Sequence, residues 1–172
     1  MDHAAEAGQR AKELNIKTIV VASSRGETAV KAVKILKGVK VIIVTHVFGF
    51  NGPDTQEFTL KNRKLVEKKG GILLTTAHAL AGLSRAMRSK HNMFLLGEIV
   101  ADTLRVFGQG TKVACEIAVM AADAGLVRTD EDVICIGGTG RGADTAVIIK
   151  PVNTHNFFDL KVKEIICKPW VG

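Results

Sequence analysis

The sequence predicts a three-layer α/β sandwich built on a mostly parallel sheet. Short β-branched runs alternate with longer amphipathic stretches, the pattern that returns the chain over a sheet by right-handed helical crossovers. The run at residues 39–45, VKVIIVT, is apolar nearly throughout, as strands covered on both faces are. The length of 172 residues suits one domain able to bury its own core, with no internal repeat or linker.

Taken in order, residues 3–14 read as a helix and residues 16–22, IKTIVVA, as the first strand. Residues 26–36 form a helix with Ala29, Val30, Val33 and Leu36 near one face, leading to the second strand at 39–45. A loop over 46–54 carries Gly49, Gly52 and Pro53; a helix then runs to about Lys69, where Gly70-Gly71 ends it. Residues 72–76 are the third strand. Three helices follow, at 79–89, 94–107 and 111–124, the last with Val113, Ile117, Met120, Ala121 and Ala124 on one stripe. Residues 133–136 are the fourth strand, and 145–152 with 160–167 read as a terminal pair that supplies an antiparallel edge. A strand order 3-2-1-4 would place loops 22–28 and 137–145 side by side. Ligands bind such sheets beyond the strands' carboxyl ends, where strand order reverses.

Composition narrows the function. With 47% hydrophobic and 24% charged residues the chain is of globular soluble type, and no apolar run has the length of a membrane helix. The start, Met1-Asp2-His3-Ala4-Ala5-Glu6, has neither the basic nor the apolar segment of a secretion signal. Cys115, Cys135 and Cys167 lie in apolar stretches without metal or redox spacing, so they read as buried reduced thiols in a cytoplasmic protein. The net charge is +7. Lys31, Lys34 and Lys37 share a helix face, and Lys61, Arg63, Lys64, Lys68 and Lys69 crowd the next helix. No aromatic residue is interleaved with these runs, which speaks against nucleic-acid binding and leaves an anionic small ligand as the partner of that charge.

The chemistry concentrates in three places. The loop Ala22-Ser23-Ser24-Arg25-Gly26-Glu27-Thr28 passes from strand to helix, where free backbone N–H groups and side-chain donors suit a phosphate. Ser24 with Glu27 three residues on also reads as a capping box, and the Glu27 carboxylate would repel an adjacent phosphate. The loop Gly137-Gly138-Thr139-Gly140-Arg141-Gly142-Ala143-Asp144-Thr145 has four glycines in its first six residues, which let backbone approach a ligand closely. Its spacing is neither the dinucleotide fingerprint nor a Walker sequence. Thr45-His46 and Thr76-Ala77-His78 end the second and third strands; they read as a polar rim, with His46 and His78 the weak candidates for acid–base work. No carboxylate stands at ligand spacing from either, so no metal site is expected. Arg85, Arg88 and Lys90 ride the following helix, facing ligand or solvent.

These loops, with Val20-Val21-Ala22-Ser23-Ser24-Arg25-Gly26-Glu27-Thr28-Ala29-Val30 and Gly138-Thr139-Gly140-Arg141-Gly142, make the chain resemble the C-terminal α/β domain of pyruvate kinase, in a stand-alone form. The resemblance implies an allosteric-type pocket in which Ser23, Ser24, Arg25, Gly26 and Thr28 contact phosphate and residues 138–142 close over the ligand. The sequence lacks the kinase's catalytic barrel, so pyruvate kinase activity is not expected. The helical insert at 79–125 and Glu27 also depart from the sugar-phosphate pocket. The segment Thr76-Ala77-His78-Ala79-Leu80-Ala81-Gly82 looks like that of small archaeal-type proteins, for which a ligand like flavin mononucleotide (FMN) is expected. The reading is therefore a binder of a phosphate-bearing small molecule. The alternatives are a flavin-dependent oxidoreductase and a basic protein associated with nucleic acid. Trp170, and an edge strand at 160–167 able to pair across a two-fold axis, lead to the expectation of a homo-oligomer.

Overall fold

The computed structural model describes residues 3–140 and 142–170. Helix α1 (His3–Glu13) precedes β1 (Thr18–Ala22), α2 (Glu27–Ile35), β2 (Lys40–Val44), α3 (Leu60–Lys68) and β3 (Ile72–Leu74). Helices α4 (Gly82–His91), α5 (Leu96–Arg105) and α6 (Gln109–Asp123) follow. The chain then forms β4 (Val133–Gly137), β5 (Thr145–Lys150), a short 3-10 segment (Thr154–Asp159) and β6 (Lys161–Cys167).

The strands form a six-stranded sheet in the order β3-β2-β1-β4-β5-β6. Strand β1 pairs parallel with both β2 and β4, with Val20 opposite Ile42 on one side and Cys135 on the other. Strand β3 is parallel to β2, whereas β5 runs antiparallel to β4 and to β6. The expected order 3-2-1-4 and the antiparallel terminal pair are both present.

Alternation along the strands divides the core into two layers. Ile19, Val21, Ile43, Ile134 and Ile136 face a layer containing Ala7, Ala11, Ala29, Val33, Leu36 and Val66 from α1, α2 and α3. Val20, Ile42, Val44, Val133 and Cys135 face the opposite layer, supplied chiefly by Ala114, Ile117, Ala118 and Ala121 of α6. Helix α6 is buried along nearly its whole length, which explains its small residues: they let the helix axis lie close to the strands.

Several local expectations change. Helix α3 starts at Leu60 rather than directly after the 46–54 loop. Thr59 sets that start, its side chain accepting from the Asn62 N–H at 3.2 Å. Helix α4 starts at Gly82 because residues 78–82 form a turn, in which the Gly82 N–H donates to the His78 carbonyl at 3.0 Å. The Ser24–Glu27 capping box does not form. Gly26, at φ 104°, is the residue that enters α2, so Glu27 falls at the first helical position instead of the third. Ser23 takes the capping role, its Oγ accepting from the Ala29 N–H at 3.2 Å.

Cys115 and Cys135 are buried, and desolvation pushes the Cys115 thiol up to about 11 and that of Cys135 well above its usual value. Cys167 is only half-buried, a correction to the reading of three buried thiols, because β6 closes the sheet edge. Trp170 does not pack on its own domain; it is 96% exposed. Among the described residues no helix is long and apolar enough to cross a membrane.

Gly26 is fixed twice over. Its φ of 104° disfavours any side chain, and a Cβ there would stand 2.6 Å from Asn62 Cβ and 3.0 Å from Phe58. Gly26→Ala is expected to lower stability by about 1–3 kcal/mol, read as a shifted denaturant midpoint at unchanged slope.

Candidate functional site

A crevice of about 340 Å³ opens at the carboxyl ends of β1, β2 and β4. The end of β1 and the loop after it contribute Ala22, Ser23 and Ser24, the end of β2 and its loop contribute Val44, Thr45 and His46, and the glycine loop contributes Gly138, Thr139, Gly140 and Gly142. The far wall is α6, through Gln109, Lys112, Val113, Glu116, Ile117 and Met120, while Arg85 and Arg105 reach it from α4 and α5.

His46 is the most constrained polar group there. Its Nδ1 lies 2.5 Å from Glu57 Oε2 and its Nε2 lies 3.2 Å from Ser24 Oγ. The ring stacks on Phe50 with centroids 4.0 Å apart, and the His46 carbonyl accepts from Gln56 Nε2 at 3.1 Å. In the tautomer with its proton on Nδ1, His46 donates to the Glu57 carboxylate and offers Nε2 as acceptor to the Ser24 hydroxyl.

His78 sits with its ring 5.6 Å from that of His46, and its Nε2 accepts from the Val47 N–H at 3.3 Å. Burial lowers its pKa below the ordinary 6.5; Glu116 opposes this, while His46, Lys112 and Arg85 add to it. The accepting bond from Val47 agrees with a neutral ring. Behind it, Lys112 and Glu116 form a buried ion pair one helical turn apart, and Glu116 Oε1 also accepts from the Leu80 N–H at 3.0 Å. That second bond joins α6 to the turn carrying His78. Arg85 lies 4.5 Å from the centroid of Phe50, and Arg105 Nε donates to Gln109 Oε1 at 2.7 Å.

The glycine loop is held from beneath by Asp144. Its carboxylate accepts from the Thr139 N–H at 2.8 Å and from Thr145 Oγ1 at 2.7 Å. Burial works against the charged form, but these bonds outweigh it and hold the carboxyl below its ordinary value. A Cβ at Gly138 would stand 2.0 Å from the Gly142 carbonyl oxygen, so only glycine lets the two arms of the loop close.

Of the residues singled out from sequence, Ser23, Ser24, Thr28, Thr45, His46, His78, Gly138, Thr139, Gly140 and Gly142 line the crevice. Arg25, Gly26, Glu27, Thr76, Ala77, Gly137, Asp144 and Thr145 do not. Arg25 and Glu27 are exposed, and the Arg25 carbonyl accepts from Asn62 Nδ2 at 3.0 Å, which ties the loop to α3. Asp144 and Thr145 brace the loop from within, and Arg141 lies outside the described residues. Sequence reasoning passed over Phe50, Glu57, Arg105, Gln109, Lys112 and Glu116. Lys112 and Glu116 left a signal, two opposite charges four residues apart on an otherwise apolar helix; Glu57 left none. Away from the crevice, ligand atoms of His3, Glu6 and Cys167 lie within 4.8 Å of one another, a grouping that spacing could not foresee.

The depressed pKa of His78 has a definite sign. Between the folded value and 6.5 the unfolded chain holds the extra proton, so stability rises with pH across that window and is lost as pH falls through it. The thermal midpoint is expected to fall on acidification below 6.5, and His78→Gln to flatten that part of the fall.

The family described as pyruvate kinase, alpha/beta domain, matches residues 2–149. That is most of the chain, and the chain belongs to this family. Among solved structures, Cryptosporidium parvum pyruvate kinase is similar at 15% identity and a TM-score of 0.40, over 78% of this chain and 20% of that one. The enzyme from the same organism in complex with ADP is similar at 14% identity and a TM-score of 0.42, over 84% of this chain and 22% of that one. The chain thus spans about a fifth of the length of those enzymes.

Proposed function

We propose that this member of the pyruvate kinase alpha/beta domain family binds a phosphate-bearing small molecule, of FMN or sugar-phosphate kind, in the crevice at the carboxyl ends of β1, β2 and β4. The observation that carries the reading is a charge imbalance on the crevice wall. Arg85, Arg105 and Lys112 face the lining; Lys112 is paired with Glu116 and Arg105 with Asp102, which leaves Arg85, over the Phe50 ring, as the cation in excess. A phosphate meets the Arg85 guanidinium, the Thr28 and Thr139 hydroxyls and the N-terminal turn of α2.

Part of the crevice lining is apolar. Val44, Val113, Ile117 and Met120 offer a wall to a ring system, which favours a nucleotide-like ligand such as FMN over a bare sugar phosphate. Its volume of about 340 Å³ is within the range of roughly 300–1,000 Å³ typical of small-molecule sites. Glu27, which would repel a phosphate, points into solvent instead of the crevice. The lysines of α2 and α3 belong to the other helical layer and are solvated, so they are not needed for this ligand.

Calorimetric titration with FMN, riboflavin and glucose 6-phosphate tests the reading. Phosphorylated ligands are expected to bind, with riboflavin at least about tenfold weaker than FMN. Arg85→Ala and Arg105→Ala are each expected to weaken binding by roughly 10- to 100-fold, the size of a lost charge-assisted hydrogen bond. Equal affinity for FMN and riboflavin, or unchanged binding in both arginine variants, would remove the proposed phosphate site.

A further inference from the structure

Ser24, His46 and Glu57 are brought together from the end of β1, the end of β2 and the long loop before α3, and their order of contact is that of an activated serine. We propose that Ser24 is a nucleophile that attacks carboxylic esters or thioesters entering the crevice, with His46 as its general base and Glu57 as the positioning residue for His46.

Distances and burial are graded as that role requires. Glu57 Oε2 is 2.5 Å from His46 Nδ1, and His46 Nε2 is 3.2 Å from Ser24 Oγ. Glu57 has 15% of its side chain exposed and does not line the crevice, whereas His46, at 32%, and Ser24 do. The acid is thus shielded behind the base while the hydroxyl meets solvent-borne substrate. Phe50 stacked on the imidazole and Gln56 bonded to the His46 carbonyl hold the ring in place. Ser24 also sits on a tight strand-to-helix turn made by Gly26. Two residues on, α2 begins with backbone N–H groups of Gly26, Glu27 and Thr28 that have no intrahelical acceptor, the donors available to a developing oxyanion. Ser23, the neighbouring hydroxyl, caps α2 by accepting from the Ala29 N–H, and Ser24 is the one of the two that meets His46.

In the reaction, a bond forms between Ser24 Oγ and the acyl carbon as the hydroxyl proton passes to His46 Nε2. The acyl–oxygen or acyl–sulfur bond then breaks, and His46 returns the proton to the departing alkoxide or thiolate. Water repeats the sequence on the acyl-serine, releasing the acid and restoring Ser24. That the substrate also carries a phosphate rests on the preceding function; the nucleophile does not.

The test is incubation of the folded protein with a neutral fluorophosphonate probe, followed by intact mass and peptide mapping, with p-nitrophenyl acetate hydrolysis in parallel. A single adduct on Ser24 is expected, absent in Ser24→Ala and formed at least about 100-fold more slowly in His46→Ala. Glu57→Gln is expected to slow labelling by lowering its maximal rate at saturating probe with the half-saturating probe concentration unchanged, and Glu57→Asp to restore part of that rate; a merely structural Glu57 would not give that split. No adduct on Ser24 in folded wild-type protein overturns the proposal, as does undiminished labelling of His46→Ala. Should Ser24→Ala fail to fold, the mapped position of the wild-type adduct decides alone. Labelling of Ser24 that inorganic phosphate does not slow supports the nucleophile and counts against the phosphate site.

Discussion

Everything at the site depends on the reversal of strand order at β1. Crossovers between parallel strands are right-handed, so a chain that builds leftward from β1 through β2 to β3 must lay α2 and α3 on one face. To return and place β4 on the other side of β1, it must cross the opposite face, which is where α6 lies. The connections leaving β1 and β4 therefore diverge above the strand ends. The gap between them is a consequence of chirality, and the residues that fill its rim are the ones free to carry chemistry.

Burying charge there calls for compensation, and the structure supplies it in pairs. Lys112 and Glu116 satisfy each other inside α6, and Glu116 also binds the backbone of Leu80. An isolated charge at that depth would be strongly destabilising, whereas the bonded pair is tolerated and fixes the turn bearing His78. Its two members act on His78 in opposite senses, Glu116 favouring the protonated ring more than Lys112 disfavours it, so it is burial that keeps His78 low, and the pair presents an ammonium group to the crevice. Asp144 plays the corresponding part beneath the glycine loop, where its bonds to Thr139 and Thr145 give an otherwise pliable segment one arrangement.

Much of the architecture was legible because it is local or set by general rules. The apolar run at β2 announced a strand covered on both faces, right-handed crossovers implied a parallel sheet with helices on both sides, and the likeness to the pyruvate kinase domain supported the order. The crevice and its loops followed from that order. What was not legible depended on tertiary contact. Ser24 and Glu27 have capping-box spacing, yet Gly26 adopts a left-handed conformation that shifts the helix start and releases Ser24 toward His46. Glu57 lies in a loop with no periodicity, so nothing in its neighbourhood marks it as the partner of a histidine eleven residues earlier. Thr145 and Asp144 looked like ligand contacts because they are polar and follow glycines; they are instead turned inward, where the loop needs satisfied groups more than the ligand does.

Under the proposed function, a phosphate-bearing ligand sits between the β1 and β4 loops, against α6. Amide chemical-shift mapping during titration with FMN examines that directly, residue by residue. The shifts are predicted to concentrate in residues 23–28 and 138–142 and at the start of α6, with the lysine-bearing faces of α2 and α3 silent. Shifts confined to those lysine faces, with the crevice loops unmoved, would contradict it.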